Sequence, residues 1–195
     1  MKTNNFDVED AIQKRRTIRR FKQDPITLDT LKKLIDLARV APMANNMQAL
    51  EFIIVREKEN VKELFKLIKF ASSLPKHLRT PEKGREPTAY IIVLVNTKIK
   101  AGYVDFDVGA AVENMLLGAV KYSIGTCWMG NINVSKIRKL FKIEDFYAIK
   151  HVISLGYPDE VSNVEEFKGT FSYWKDGKGM HVPKRSLQDI ILKIM

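Results

Sequence analysis

The sequence predicts an α+β fold, with a mixed sheet wrapped by helices rather than a regular ladder of alternating strand and helix. Three observations predict it. Segments of helical period outnumber strand-like runs. The strand-like runs are short and separated. One of them, AYIIVLVN at Ala89–Asn96, is apolar throughout, as expected of a strand covered on both faces. The 195 residues contain no internal repeat and no low-complexity linker, so 1–195 reads as one domain with ample length for a core.

In chain order, Asp7–Arg15 carries Val8, Ala11 and Ile12 at helical spacing, with Asp7 placed to cap it. Thr27–Val40 is amphipathic, with Leu28, Leu31, Leu34, Ile35 and Ala38 on one face and Pro25 and Thr27 at its start. EFIIVR at Glu51–Arg56 is a strand. Asn60–Phe70 returns to helical spacing through Val61, Leu64, Phe65 and Ile68. Ser72–Thr88 holds Pro75, Pro81, Gly84 and Pro87 among charges and reads as irregular or only briefly helical. After the apolar strand, Asp105–Tyr122 is the longest helix. Its wide stripe of Val108, Ala111, Val112, Met115, Leu116 and Ala119 suits the centre of a core or a subunit interface. IGTCWMG at Ile124–Gly130 is a strand running into a turn, Ser135–Phe141 a short helix, and Lys150–Leu155 a strand ended by Gly156, Tyr157 and Pro158. Ser186 and Asp189 form a candidate capping box for a final helix, Leu187–Ile194.

No apolar run approaches the roughly 18 residues of a membrane span. The N-terminus (Asn4, Asn5, Asp7, Glu9, Asp10) lacks the apolar segment of a secretory signal, so a cytoplasmic protein with no membrane partner is expected. Cys127 is the single cysteine, which excludes an internal disulfide and reads as a small buried apolar residue. His77, His151 and His181 have no metal-ligand spacing, so no metal is expected. A net charge of +10 suits nucleic acid, an anionic surface, a phosphate-bearing small molecule, or simply a solvated lysine-rich surface. No zinc or nucleic-acid motif accompanies the dispersed charge, and no GxGxxG follows a strand, which argues against a Rossmann dehydrogenase.

Four constellations could carry chemistry. In RRTIRRF, Arg15, Arg16, Thr17 and Arg19 follow a short helix. Guanidinium forks and a hydroxyl suit a phosphomonoester, and a solvated basic turn is the alternative. In APMANNMQALEF, Pro42 ends a helix, and Asn45, Asn46 and Gln48 supply amides that match the mixed donor–acceptor edge of a flavin or else an ordinary turn. GTCWMGNI follows the long helix. Its glycines allow close backbone approach to a planar ligand, with an N–H near Met129 or Gly130 free to donate. Finally, Lys184 and Arg185 stand just before a helix start, where backbone N–H groups favour anions, and His181 lies close by in sequence.

In this order, the four resemble the nitroreductase family. The family's RRSxR-like opening is matched by Arg15, Arg16, Thr17 and Arg19, and its P-S-x-x-N-x-Q segment by Pro42, Asn46 and Gln48. Its Asp-initiated GAAxxNxxLxA helix is matched by Asp107, Gly109, Ala110, Ala111, Asn114, Leu117 and Ala119. G-T-x-W-x-G is matched from Gly125, and the closing basic pair by Lys184 and Arg185. The resemblance spans about residues 8–193. The chain departs at Met43, where the family often has Ser, and at Ala49 and Leu50, where it often has Pro-Trp.

The resemblance implies a mainly antiparallel sheet in an interlocked homodimer that binds FMN at its interface. Arg15, Arg16, Thr17, Lys184 and Arg185 would hold the phosphate, Arg19 would lie nearer the pyrimidine edge, and Met129 and Gly130 would face flavin N5. Pro42, Met43, Ala44, Asn46 and Gln48 would come from the partner subunit. NADH or NADPH would deliver hydride, a nitroaromatic, quinone or similar small aromatic acceptor would take the electrons, and no catalytic side chain is required. Ser72–Thr88 is expected to be a lid that sets acceptor preference. Two alternatives stay open: a dehalogenase or flavin-cleaving relative with the same clamp, and, from another class, a basic nucleic-acid-binding module.

Overall fold

The computed structural model describes residues 7–195, so the Asn4 and Asn5 reading lies outside it. Its centre is a four-stranded antiparallel sheet in the order β1-β2-β4-β3, built from β1 (Leu50–Val55), β2 (Ala89–Asn96), β3 (Gly125–Met129) and β4 (Tyr147–Gly156). β2 is buried along all but its last residue, as its unbroken apolar sequence requires. Ile91, Val93 and Val95 face one cluster with α2 (Leu28–Arg39) and α5 (Val104–Lys121), and Tyr90, Ile92 and Leu94 face another with α3 (Lys58–Phe65) and α6 (Val134–Phe141). The α+β expectation is met, and parallel pairing is confined to the margins.

Helix ends follow local chemistry. Asp7 caps α1 (Val8–Lys14) through its side chain, and Thr27 caps α2 by accepting from the Thr30 N–H. The stripe of α5 is fully covered by α2 and the sheet, and Asn114 ties the two helices by donating to the Leu37 carbonyl at 3.2 Å. α3 stops at Phe65, not Phe70. There the chain turns to bond segment 131–133, with Lys69 N–H donating to the Asn131 carbonyl and Asn133 N–H to that of Leu67. The final helix α7 (Leu187–Ile190) keeps the Ser186–Asp189 capping box but ends early, because Leu187 and Ile190 are exposed and no packing supports its extension.

Two features depart from expectation. Residues 162–184 form a second sheet in the order β5-β7-β6, with β5 (Ser162–Glu166) parallel to β7 (Gly179–Lys184) and β6 (Trp174–Asp176) antiparallel to it. These strands are short and mostly polar, so they lack the long apolar alternation that marks strands. They are clamped by His181, bonded to Glu165 at 2.6 Å and Asp176 at 3.0 Å and stacked on Trp174. The Glu165 and Asp176 carboxylates raise the pKa of His181.

The second departure is segment 72–88. It is irregular with one helical turn, α4 (Lys76–Arg79), as expected, but it is not a free lid. The fully buried Arg20 donates to the Glu82 carboxylate at 2.7 and 2.9 Å and to the Leu78 carbonyl. Arg85 pairs with Asp159, and Leu74 and Pro81 are buried.

Candidate functional site

The chain leaves α1 at Arg15, whose extended backbone ends the helix, and the next residues run beside β3. Thr17 bridges Thr126 in parallel, with Ile18 N–H donating to the Thr126 carbonyl at 2.8 Å. Gly125 makes the seam this close: a β-carbon there would lie 2.8 Å from Ile18 Cβ. The first and third constellations, remote in sequence, are thus one structure.

A cavity of about 370 Å³ opens at this seam, lined by Arg15, Arg16, Gly125, Thr126 and Glu160 among others. Arg15 pairs loosely with Glu113 at 3.4 Å. Arg16 bonds the Arg15 carbonyl and, among the described residues, makes no ion pair. Burial, and then the neighbouring Arg15 charge, lowers its pKa. Arg19 donates its N–H to Glu160 Oε1 at 2.7 Å and lies over the Tyr173 ring, while its Nε is buried without a partner.

At the far end of β3, Trp128 meets His151 edge-to-face at 5.3 Å. His151 Nδ1 is also buried without a partner, and burial lowers the ring's pKa. A methyl on Gly130 would come 3.7 Å from that nitrogen. Met129 and Cys127 point into the core, the thiol donating to Met129 Sδ at 3.1 Å. Burial pushes the Cys127 thiol up to about 11, so it remains a protonated core residue. Of this stretch the exposed Trp128 side chain, the backbone and the exposed Gly130 can meet a ligand.

The Pro42–Gln48 segment is held in a strained form. Asn45, Asn46 and Gln48 all adopt left-handed backbone (φ 51°, 53° and 50°), and Ala44 N–H donates to the buried Asp107 carboxylate at 2.8 Å. Asn46 and Gln48 are exposed, Met43 packs on the core, and the departures Ala49 and Leu50 lie in the core and at the start of β1. Asp107 sits at the start of α5 and the cavity-lining Leu116 nine residues on, roughly 14 Å at helical rise. Within one chain the amides and the arginine cavity are therefore apart.

Lys184 ends β7 and Arg185 follows it, just before α7. Among the described residues neither lines the cavity. At the start of α7 the capping box forms: Asp189 N–H donates to Ser186 Oγ, and Ser186 N–H to the Asp189 carboxylate. Arg185 bonds the Asp189 carbonyl. No local motif marks Glu160, Asp107's tether, Tyr173 or His151 as part of the site, because only the fold brings them there. Among the described residues no His, Cys, Asp and Glu cluster could hold a metal, and no helix is long and apolar enough to cross a membrane.

Comparison with known proteins gives the same picture. The model of the family described as "Nitroreductase family" matches residues 12–157. An Archaeoglobus fulgidus protein, provisionally named NADH dehydrogenase/NAD(P)H nitroreductase, is 30% identical over 168 residues, covering 83% of this chain and 91% of its own. A Clostridium difficile structure titled as an FMN-dependent nitroreductase superposes with a TM-score of 0.64 at 25% identity, covering 78% of this chain and 88% of its own. A Desulfovibrio desulfuricans structure, a provisionally assigned nitroreductase in complex with FMN, has the same fold, with a TM-score of 0.71 at 21% identity over 96% of both chains. The chain belongs to the nitroreductase family.

Proposed function

We propose that this protein is an FMN-dependent oxidoreductase acting as a homodimer, which takes hydride from NADH or NADPH and passes electrons to a nitroaromatic, quinone or similar small acceptor. The observation that carries the reading is the seam between residues 15–19 and β3. It gathers Arg15 and Arg16 on one cavity and leaves Arg19 Nε buried without an acceptor. Buried donors are rarely left unpaired, so the site fits a ligand that combines a phosphate with an acceptor-bearing ring edge. The relatives named as NAD(P)H nitroreductases and the neighbour in complex with FMN support the same ligand.

FMN, when bound, supplies the redox chemistry, accepting hydride and handing electrons on. The chain binds and orients it. Arg15, Arg16 and Thr17 hold the phosphate, and Arg19 places permanent positive charge by the pyrimidine edge, which favours electron uptake. The Met129–Gly130 backbone offers an N–H to the ring, with Trp128 and His151 beside it.

Pro42, Met43, Ala44, Asn46 and Gln48 serve the site of a second copy, which their distance from the arginine cavity and their exposed amides support. Val8, Ile12, Phe106, Leu187 and Ile190 are exposed apolar side chains that a second copy would cover. Lys184 and Arg185, the basic pair before α7, add positive charge for the phosphate.

The test is NADH and NADPH oxidation by FMN-loaded protein with a nitroaromatic and a quinone. Acceptor-dependent oxidation with ping-pong kinetics is expected, since both substrates use one ring in turn. FMN-loaded protein that oxidises neither nicotinamide would overturn the reading.

A further inference from the structure

Glu160 stands on the wall of the cavity proposed for phosphate, where a carboxylate should repel the ligand. It is nevertheless built in, with only 4% of its side chain exposed. Its two oxygens do different things. Oε1 accepts the Arg19 backbone N–H at 2.7 Å. Oε2 faces two cations, Arg20 Nη1 at 3.4 Å and Lys175 Nζ at 3.6 Å, which offset its burial. The Arg19 peptide is thus fixed from the side opposite β3, while the Ile18 N–H two atoms of backbone away is fixed by Thr126. Arg20 is in turn held by Glu82, so the carboxylate cannot swing away without leaving a fully buried guanidinium short of a partner.

We propose that Glu160 is a positioning residue: it fixes the backbone of Arg15–Arg19 in its ligand-binding form and so sets the affinity for FMN. The inference rests on the FMN reading above. Its sign distinguishes it from simple electrostatics. Removing a negative charge beside an anion site should tighten binding, whereas removing a positioning group weakens it.

The experiment is titration of FMN into apoprotein, followed by flavin fluorescence, alongside thermal melting, for wild type, E160A, E160Q and E82Q. E160A is expected to bind FMN about tenfold more weakly, the scale of one lost charge-assisted hydrogen bond. E160Q keeps an acceptor for the Arg19 N–H and is expected to rescue most of that loss, even though its melting temperature falls. E82Q disturbs the same ion network away from Arg19, and is expected to melt earlier with unchanged FMN affinity. Should E160A not fold, E160D, which withdraws the carboxylate from Arg19, is expected to show the weakened binding. Tighter or unchanged binding in folded E160A or E160D would overturn the proposal, as would equal weakening in E82Q. A wild type that takes up no FMN would instead remove the cofactor reading, and the inference with it.

Discussion

Arg16 concentrates the chemistry of the site in one side chain. It lies at the cavity beside another arginine, with no ion-pair partner among the described residues, and burial disfavours its charge. Such a cation is ill placed for stability alone and well placed for a phosphate. R16A is expected to weaken FMN binding by about ten- to a hundredfold while leaving the apoprotein's melting temperature unchanged or raised, because like-charge repulsion is relieved. R16K should recover only part of the affinity, since an ammonium lacks the planar fork. Unchanged affinity in R16A would show that Arg16 is only a surface charge. Arg16 was legible in the sequence because its signal is local: cations and a hydroxyl packed into five residues. Glu160 was not, because it meets Arg19 across 141 positions and nothing near it in sequence marks the contact.

At the scale of elements, segment 72–88 is governed by an ion pair. The Arg20 hydrogen bond, more than any other influence, lowers the Glu82 pKa from 4.5 to about 2. The folded carboxyl is more acidic than the unfolded one, so its contribution is present above pH 4.5 and is lost as pH falls towards about 2. Amide exchange in 78–88, corrected for intrinsic rate, is expected to accelerate relative to β2 across that window, and E82Q should abolish the difference. Equal protection at both ends of the window would contradict the tether. The same segment shows where sequence reading reaches its limit. Its prolines and glycine announce irregular backbone, but whether irregular backbone moves depends on Arg20, Asp159 and Glu160, which lie outside it. Conversely, β2 and α5 were legible nearly to the residue, because long apolar runs and stripes dominate their local energetics. The small sheet was not legible, since its strands are held by the His181 clamp rather than by hydrophobic alternation.

For the whole molecule, two half-sites meet different parts of α5: the arginine cavity its C-terminal half, at Leu116 and Val120, and the segment leading to Asn46 and Gln48 its start, where Ala44 bonds Asp107. One chain offers both but joins neither to the other, which is the physical sense of the proposed homodimer. The proposed function rests on the seam of residues 15–19 against β3 being built for FMN. It is tested most directly by the visible spectrum of the purified protein, with the flavin released by heat and quantified. Oxidised-flavin bands and about one FMN per chain are expected, either as purified or after reconstitution. A colourless protein that stays colourless after incubation with FMN would contradict it.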